Sequence, residues 1–171
     1  NSDGAQQLRP WNTETQLAMR LPESLLSLCQ KRGASITVRH PDKTIGDNYL
    51  SRWHVVPKNP LFNIYLHHVT GDDPDENLHD HPWIFNYSLV LRGKIREEMP
   101  NTKRTLDTGT LTFRFGAAPH RLVLETPDSL TLFVTGPKIR RWGFYTARGW
   151  VNRKEYLRAD GNGRTTNSKY S

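Results

Sequence analysis

Four of the chain's seven histidines, His67, His68, His79 and His81, fall within fifteen residues, and His120 follows later. The sequence His79-Asp80-His81 carries the most chemistry. On a strand or extended loop, residues two apart project to the same side, so two imidazoles can grip one metal ion while Asp80 points away. A third ligand from a neighbouring strand would complete a facial set and leave positions open for substrate or water. His120, in Pro119-His120-Arg121-Leu122-Val123-Leu124, is the natural third, and it shares a face with Leu122 and Leu124. By itself a His-x-His pair fits two ordinary strand histidines equally well. The residues around it strengthen the metal reading.

Other side chains offer a substrate site around such a centre. Arg52 and Arg114 are candidates for clamping a carboxylate or phosphate, because the guanidinium fork binds such groups bidentately. Most arginines are simply solvated, and the alternation Leu111-Phe113-Phe115 against Thr112-Arg114 puts Arg114 on the outward face. Tyr65 is a candidate catalytic hydroxyl, or an aromatic that fills a barrel. Trp83 follows Pro82 beside the histidine pair and can wall the pocket or pack under its loop. Asp80 can orient an imidazole or a surface arginine. His67 and His68 alternate faces, so at most one points inward, and both read as ordinary strand residues. His40 and His54 have no informative context.

These residues need elements to hold them. Leu21–Gly33 reads as a helix: Pro22 suits its first position, Glu23 the positive end, Lys31 and Arg32 the last turn, and Gly33 the C′ position. Leu21, Leu25, Leu28 and Cys29 would share its buried face, which makes Cys29 a small core hydrophobe. After Gly33 the pattern becomes short β segments: Ser35–Arg39, Trp53–Val56, Phe62–Val69, Tyr87–Leu91, Lys94–Glu98, Thr110–Phe115, His120–Leu124, Leu130–Thr135 and Trp142–Thr146. Turn formers such as Arg92-Gly93 and Asp107-Thr108-Gly109 separate them. Many short strands behind one helix predict an all-β antiparallel barrel or sandwich. Residues 1–13 read as a flexible arm, 14–157 as one domain and 158–171 as a disordered polar tail. There is no internal repeat.

Here the sequence resembles a known superfamily. His79-x-His81, four residues, Asn86, six residues and Gly93 reproduce the spacing of the first cupin motif, with Asn86 where many cupins carry glutamate. Gly109 and His120, with ten residues between them, match the glycine and histidine of the second motif. Phe115 and Ala117 replace its usual proline and second glycine, and Asp73 replaces the glycine that opens the first motif. The fifteen residues Lys94–Thr108 link the two motifs. Phrases such as Asn63-Ile64-Tyr65-Leu66-His67, His79-Asp80-His81-Pro82-Trp83 and Trp142-Gly143-Phe144 are similar to a group of small bacterial and phage cupins described as cysteine-dioxygenase-like. The resemblance covers about residues 53–146 and implies a jelly-roll barrel, a double-stranded β-helix with one N-terminal helix. It assigns His79, His81 and His120 as metal ligands. It also makes the centre three-histidine, as in thiol dioxygenases, because an Asn86 amide is a poor neutral ligand. Asn86 and Tyr65 become the candidate catalytic residues. Fe(II) with O₂ as co-substrate is the cofactor implied, while Zn, Ni, Mn or Cu suit the same imidazoles. Three neutral ligands leave the ion its full charge, which favours a small anionic substrate.

Composition narrows the alternatives. A single cysteine, Cys29, excludes an internal disulfide and a Cys-based zinc site. No apolar run approaches the roughly 20 residues of a membrane span, so a cytoplasmic protein is expected. The formal net charge of +7 suggests nucleic acid, but residues 1–137 hold fifteen basic and fifteen acidic side chains, and the excess belongs to residues 138–171. Three functions therefore compete. The first is a metal-dependent oxygenase. The second is a sugar or nucleotide-sugar isomerase, epimerase or dehydratase using His67 or His120 with Tyr65 or Tyr87. The third is a non-catalytic module that meets nucleic acid through the basic C-terminal region. Exposed strand edges would permit a homodimer.

Overall fold

The structure, a computed structural model, describes residues 17–46 and 49–159. The expected N-terminal arm, and the expected tail from residue 160 on, lie outside the described residues. Among the described residues, thirteen strands and two helices follow in order: β1 (Ala18–Arg20), α1 (Glu23–Thr37), β2 (Lys43–Ile45), β3 (Leu50–His54), β4 (Asn63–Val69), β5 (Leu78–His79), β6 (Phe85–Arg92), β7 (Lys94–Met99), β8 (Thr102–Asp107), β9 (Thr110–Phe115), β10 (Arg121–Leu124), β11 (Ser129–Thr135), β12 (Gly143–Thr146), β13 (Gly149–Asn152) and α2 (Arg153–Ala159). A seven-stranded antiparallel sheet, ordered β1-β9-β6-β11-β4-β3-β2, is joined by two three-stranded sheets, β10-β7-β8 and β13-β12-β5. This is the all-β jelly-roll arrangement that the motif spacing implies. The chain crosses from the large sheet to the β10-β7-β8 sheet at Gly93. Its φ of 85° needs a residue without a Cβ, and a Cβ there would lie 2.4 Å from the Asp128 carbonyl.

The large sheet has two unlike faces, a consequence of period-2 alternation held in register across five strands. One row runs Trp53–Leu66–Leu132–Leu89–Leu111 through directly paired positions. Trp53, Leu66 and Leu89 are buried in a cluster with Leu91 and Leu130, and Leu21, Leu26, Cys29 and Ile36 pack onto it. Each such side chain contributes roughly 1.5–3 kcal/mol by leaving water. The next row, His54–Tyr65–Phe133–Ser88–Thr112, faces the other way, into the barrel. The main apolar core therefore lies between sheet and helix, and the barrel interior is aromatic and polar.

Helix α1 starts where Pro22 and Glu23 place it but runs on to Thr37, through the expected strand Ser35–Arg39. Gly33 is inside the helix, buried at its closest approach to the sheet. A Cβ there would lie 3.1 Å from Leu91 Cδ1 and 3.3 Å from Leu130 Cδ2. Its missing side chain serves packing, not a C-cap. The stripe that faces the sheet is buried Gly33 with partly buried Leu26, Cys29 and Ile36; Leu25 and Leu28, expected inside, are exposed at 51% and 57%. Gln30 Nε2 donates to the Leu91 carbonyl at 2.7 Å and fixes the helix on β6. Strands β1, β2, β5, β8 and β13 are short or polar and carry no sequence signal. Arg158 and Ala159, expected in the tail, form the last turn of α2. Among the described residues no helix is long and apolar enough to cross a membrane.

Candidate metal centre

Strand β5, the loop that follows it and the residue before β10 deliver the three histidines. The backbones of His79 and His120 form an antiparallel bridge, with His79 N–H donating to the His120 carbonyl at 2.9 Å and the reverse bond at 3.0 Å. His79 also pairs with Phe144 of β12. His81 is set by its N–H to the Gly116 carbonyl at 2.7 Å, while Gly116 N–H bonds the Ile84 carbonyl at 3.1 Å. The His79 ring meets those of His81 and His120 nearly at right angles, these two meet at 69°, and the centroids are 5.0–5.4 Å apart. One nitrogen from each lies within 4.8 Å of the others. His81 Nε2 and His120 Nε2 are 3.0 Å apart. Two ring nitrogens approach this closely only with a proton or a cation between them.

The set fits a metal ion. Asp73 Oδ2 stands 3.3 Å from His79 Nδ1, and Glu97 Oε1 stands 2.9 Å from His120 Nδ1. Neither contact meets hydrogen-bond angles, but each places a carboxylate behind an imidazole and turns Nε2 toward the centre, the arrangement that orients metal-binding histidines. Burial, then the neighbouring charges of His120 and His79, holds the His81 pKa well below the ordinary imidazole value. Burial brings His120 down to about 4 despite Glu97. Neutral rings offer lone pairs, which ligation requires.

Glu97 is the hinge of a buried charge network. It is fully buried and ion-pairs with Arg114, and Arg104 Nε reaches its other oxygen at 2.7 Å. Burial alone would raise its pKa; Arg114 and His120 overcome that and hold it well below the usual carboxylate range. Arg114 is thus 2% exposed and points inward, against the outward placement read from the alternation. That alternation is correct in its period, but the face opposite Leu111 and Phe113 is the barrel interior, where Glu97 compensates the charge. Arg114 also approaches Asn86 Oδ1 at 3.5 Å. Asn86 is fully buried in a polar row with Asn63, Thr135 and Arg114, and it is tied to the histidines through Arg114 and Glu97.

Asp80 faces away from the centre, as its place between the histidines demands. Its fully buried carboxylate accepts Gly143 N–H at 2.7 Å, Arg140 Nη1 at 2.7 Å and Trp150 Nε1 at 3.1 Å, which pins the histidine loop to β12 and β13. Aromatic rings wall the centre. Trp83 is 5.0 Å from His81, Phe144 5.9 Å and Trp142 6.2 Å from His79, and Phe133 6.4 Å from His81. Farther in, Arg52 Nε donates to His67 Nε2 at 2.9 Å, and its guanidinium lies 4.5 Å above the Tyr65 ring. Tyr65 stacks on His67, and His67 on Phe133. Of the two adjacent histidines, His67 is the inward one. Burial, Arg52 and His54 keep it neutral, well below its ordinary pKa. Tyr87, proposed as an acid, lies on the outer face and is 40% exposed.

The sequence reading did not find Glu97, Phe133, Trp142 or Phe144, and it took Asp73 only as a departure from a motif. The inward parity of Glu97 on β7 was the one available signal, and it needed the strand partner to be interpreted.

No protein-family model and no curated protein matches the chain. Among solved structures it is similar to an HTH_3 family transcriptional regulator from Vibrio cholerae (13% identity, TM-score 0.47), of which it spans 60% while 60% of this chain is covered. It is also similar to an uncharacterized conserved protein with a double-stranded beta-helix domain from Klebsiella pneumoniae (14%, TM-score 0.49, 61% of this chain and 90% of that one). A third is Fe(II)-HppE with an alternative substrate (22%, TM-score 0.46, 54% and 53%). The strand order and the bridge that joins His79 to His120 form the double-stranded β-helix arrangement that the motif spacing implies.

Proposed function

We propose that this chain is a metal-dependent oxygenase of the cupin type, with Fe(II) held by His79, His81 and His120, acting on a small anionic substrate. The observation that carries this reading is the convergence of three imidazole nitrogens within 4.8 Å, two of the rings backed by buried carboxylates. Bound there, the ion supplies dioxygen activation and a Lewis-acidic anchor for an anionic group. The protein does the rest. Arg52, oriented by its bond to His67, holds the anionic end of the substrate. Tyr65, whose pKa burial raises, keeps its proton and presents a hydroxyl donor. Trp83, Phe133 and Trp142 exclude water around the reacting end. Asn86 acts through Arg114 and Glu97 on His120.

Elemental analysis of the purified chain tests the proposal: about one transition-metal equivalent is expected, lost in His79→Ala. A chain without stoichiometric metal after anaerobic loading with Fe(II) refutes it. A second reading, metal-independent isomerisation, takes support from Tyr65 stacked on neutral His67 at 5.8 Å. Turnover of a sugar substrate that survives His79→Ala would favour it.

A further inference from the structure

The small sheet β13-β12-β5 turns one side to the histidines and the other away from them. Phe144 pairs with His79 and lies 5.9 Å from its ring, so the side it shares with Val151 faces the metal centre. Tyr145, Trp150 and Asn152 take the opposite side, because Tyr145 pairs directly with Trp150 and Asn152 stands two residues further along β13. Trp150 is anchored through Nε1 on Asp80 at 3.1 Å but keeps 37% of its surface exposed. Cations border this aromatic pair at both ends. At one end Arg148 is exposed in the turn between β12 and β13. At the other end a cavity of about 350 Å³ reaches Asn152, and Arg141, Lys154 and Arg158 line it with Glu155 as its one carboxylate. These four cations are exposed and make no ion pair among the described residues. Their neighbours are already engaged: Arg140 holds Asp80 at 2.7 Å, and Arg153 lies over Trp142 at 5.3 Å, closing the cavity on the side of the histidines.

We propose that this face is a binding surface for single-stranded nucleic acid, separate from the metal centre. One backbone phosphate enters the cavity between Arg141, Lys154 and Arg158, another meets Arg148, and a base between them stacks on the exposed ring of Trp150. A strand in which phosphates and unpaired bases alternate matches an exposed aromatic bordered by cations, and every base offers a ring face whatever the sequence. An acidic peptide would use the cations and leave the indole idle. A duplex keeps its base faces stacked and out of reach of the indole. The surface needs no metal at the histidines, so it goes beyond the oxygenase reading and does not depend on it.

Fluorescence anisotropy of a labelled oligothymidylate of about 12 nucleotides, titrated with the full chain at several salt concentrations, tests the surface. Four cations on phosphates give a slope of about −2.8 in log affinity against log salt. Arg141→Gln/Lys154→Gln should make that slope shallower by about 1.4 and weaken binding roughly tenfold. The pair Lys31→Gln/Arg32→Gln, exposed on α1, removes the same charge elsewhere and should change little. Trp150→Ala should cost about tenfold, and Trp150→Phe, which keeps a ring, much less. Glu155→Gln, which removes the cavity's carboxylate, should tighten binding about threefold, a gain that misfolding cannot mimic. No binding at about 50 mM salt overturns the proposal. So do equal losses from the α1 pair, or a salt slope unmoved by Arg141→Gln/Lys154→Gln. Equal affinity for polyglutamate or for a duplex of the same length overturns it too, because the indole would then contribute nothing.

Discussion

Replacing Glu97 by Gln should be the most damaging single change in the barrel. The substitution keeps the volume and removes one charge. Glu97 has no exposed surface, the Arg114 side chain is 3% exposed, and Arg104 is 21% exposed. Arg114 would then remain as a buried cation without its counter-ion, which costs about 3–5 kcal/mol. The adjacent Glu98 supplies an internal contrast. It contacts Lys103, Arg96 and Arg121 on the opposite side of β7, and its cations are 20–65% exposed and can turn to water, so Glu98→Gln should cost under about 1 kcal/mol. Urea denaturation of the two variants in the presence of a chelator reads both numbers. A second arm separates charge from packing. In the double variant Glu97→Gln/Arg114→Met, most of the lost stability should return, because the buried unpaired cation is gone and Arg104, 21% exposed, keeps access to water. Metal affinity should not return, because His120 still lacks the carboxylate behind Nδ1, and a loss of about 10–100-fold is expected in both variants. Equal destabilisation by the Glu97 and Glu98 changes, or Glu97→Gln with unaltered metal affinity, would refute the argument.

Stability should also depend on pH in a defined direction. His67 and His120 are buried with lowered pKa values, His120 at about 4. Below pH 6.5 the unfolded chain takes up protons that the native state does not, so stability is full above about pH 7. It should then fall by roughly 1.4 kcal/mol per pH unit for each such residue; urea midpoints of the chelated protein that stay flat from pH 8 to pH 5 would contradict this. Gly116→Ala places a Cβ 1.6 Å from the Trp83 carbonyl oxygen, so the loop holding His81 must move, at a cost of about 3 kcal/mol, the upper end for overpacking; circular dichroism melts would detect it. Asp73→Asn should weaken metal binding about tenfold with little effect on unfolding, measured by competition with a chromophoric chelator. Tyr87→Ala, on the outer face, should leave metal content unchanged.

The parts legible in the sequence are those with a fixed local period. His79 and His81 could be placed together because residues two apart share a side, and His120 because its distance from Gly109 matched a motif. Strands β4, β6, β9 and β11 showed their alternation and fall within two residues of expectation. What was not legible depends on partners far apart in the chain. Arg114 alternates like a surface residue, and only Glu97, seventeen residues away on a facing strand, makes its burial tolerable. Gly33 has the composition of a helix end, but the leucines it must clear, Leu91 and Leu130, belong to the opposing sheet. The exposed Leu25 and Leu28 follow from the same helix lying one residue further round than a pattern of leucines suggests.

The unlike faces of the large sheet separate two kinds of selection. Substitutions at Tyr65, Phe133 or Arg52 alter what the interior recognises without touching Leu66, Leu89 or Leu130, which sit under the helix. The cluster under the helix therefore keeps its packing when the interior changes, and the stability cost of such a change is confined to the smaller cluster of Tyr65, Trp83 and Phe133.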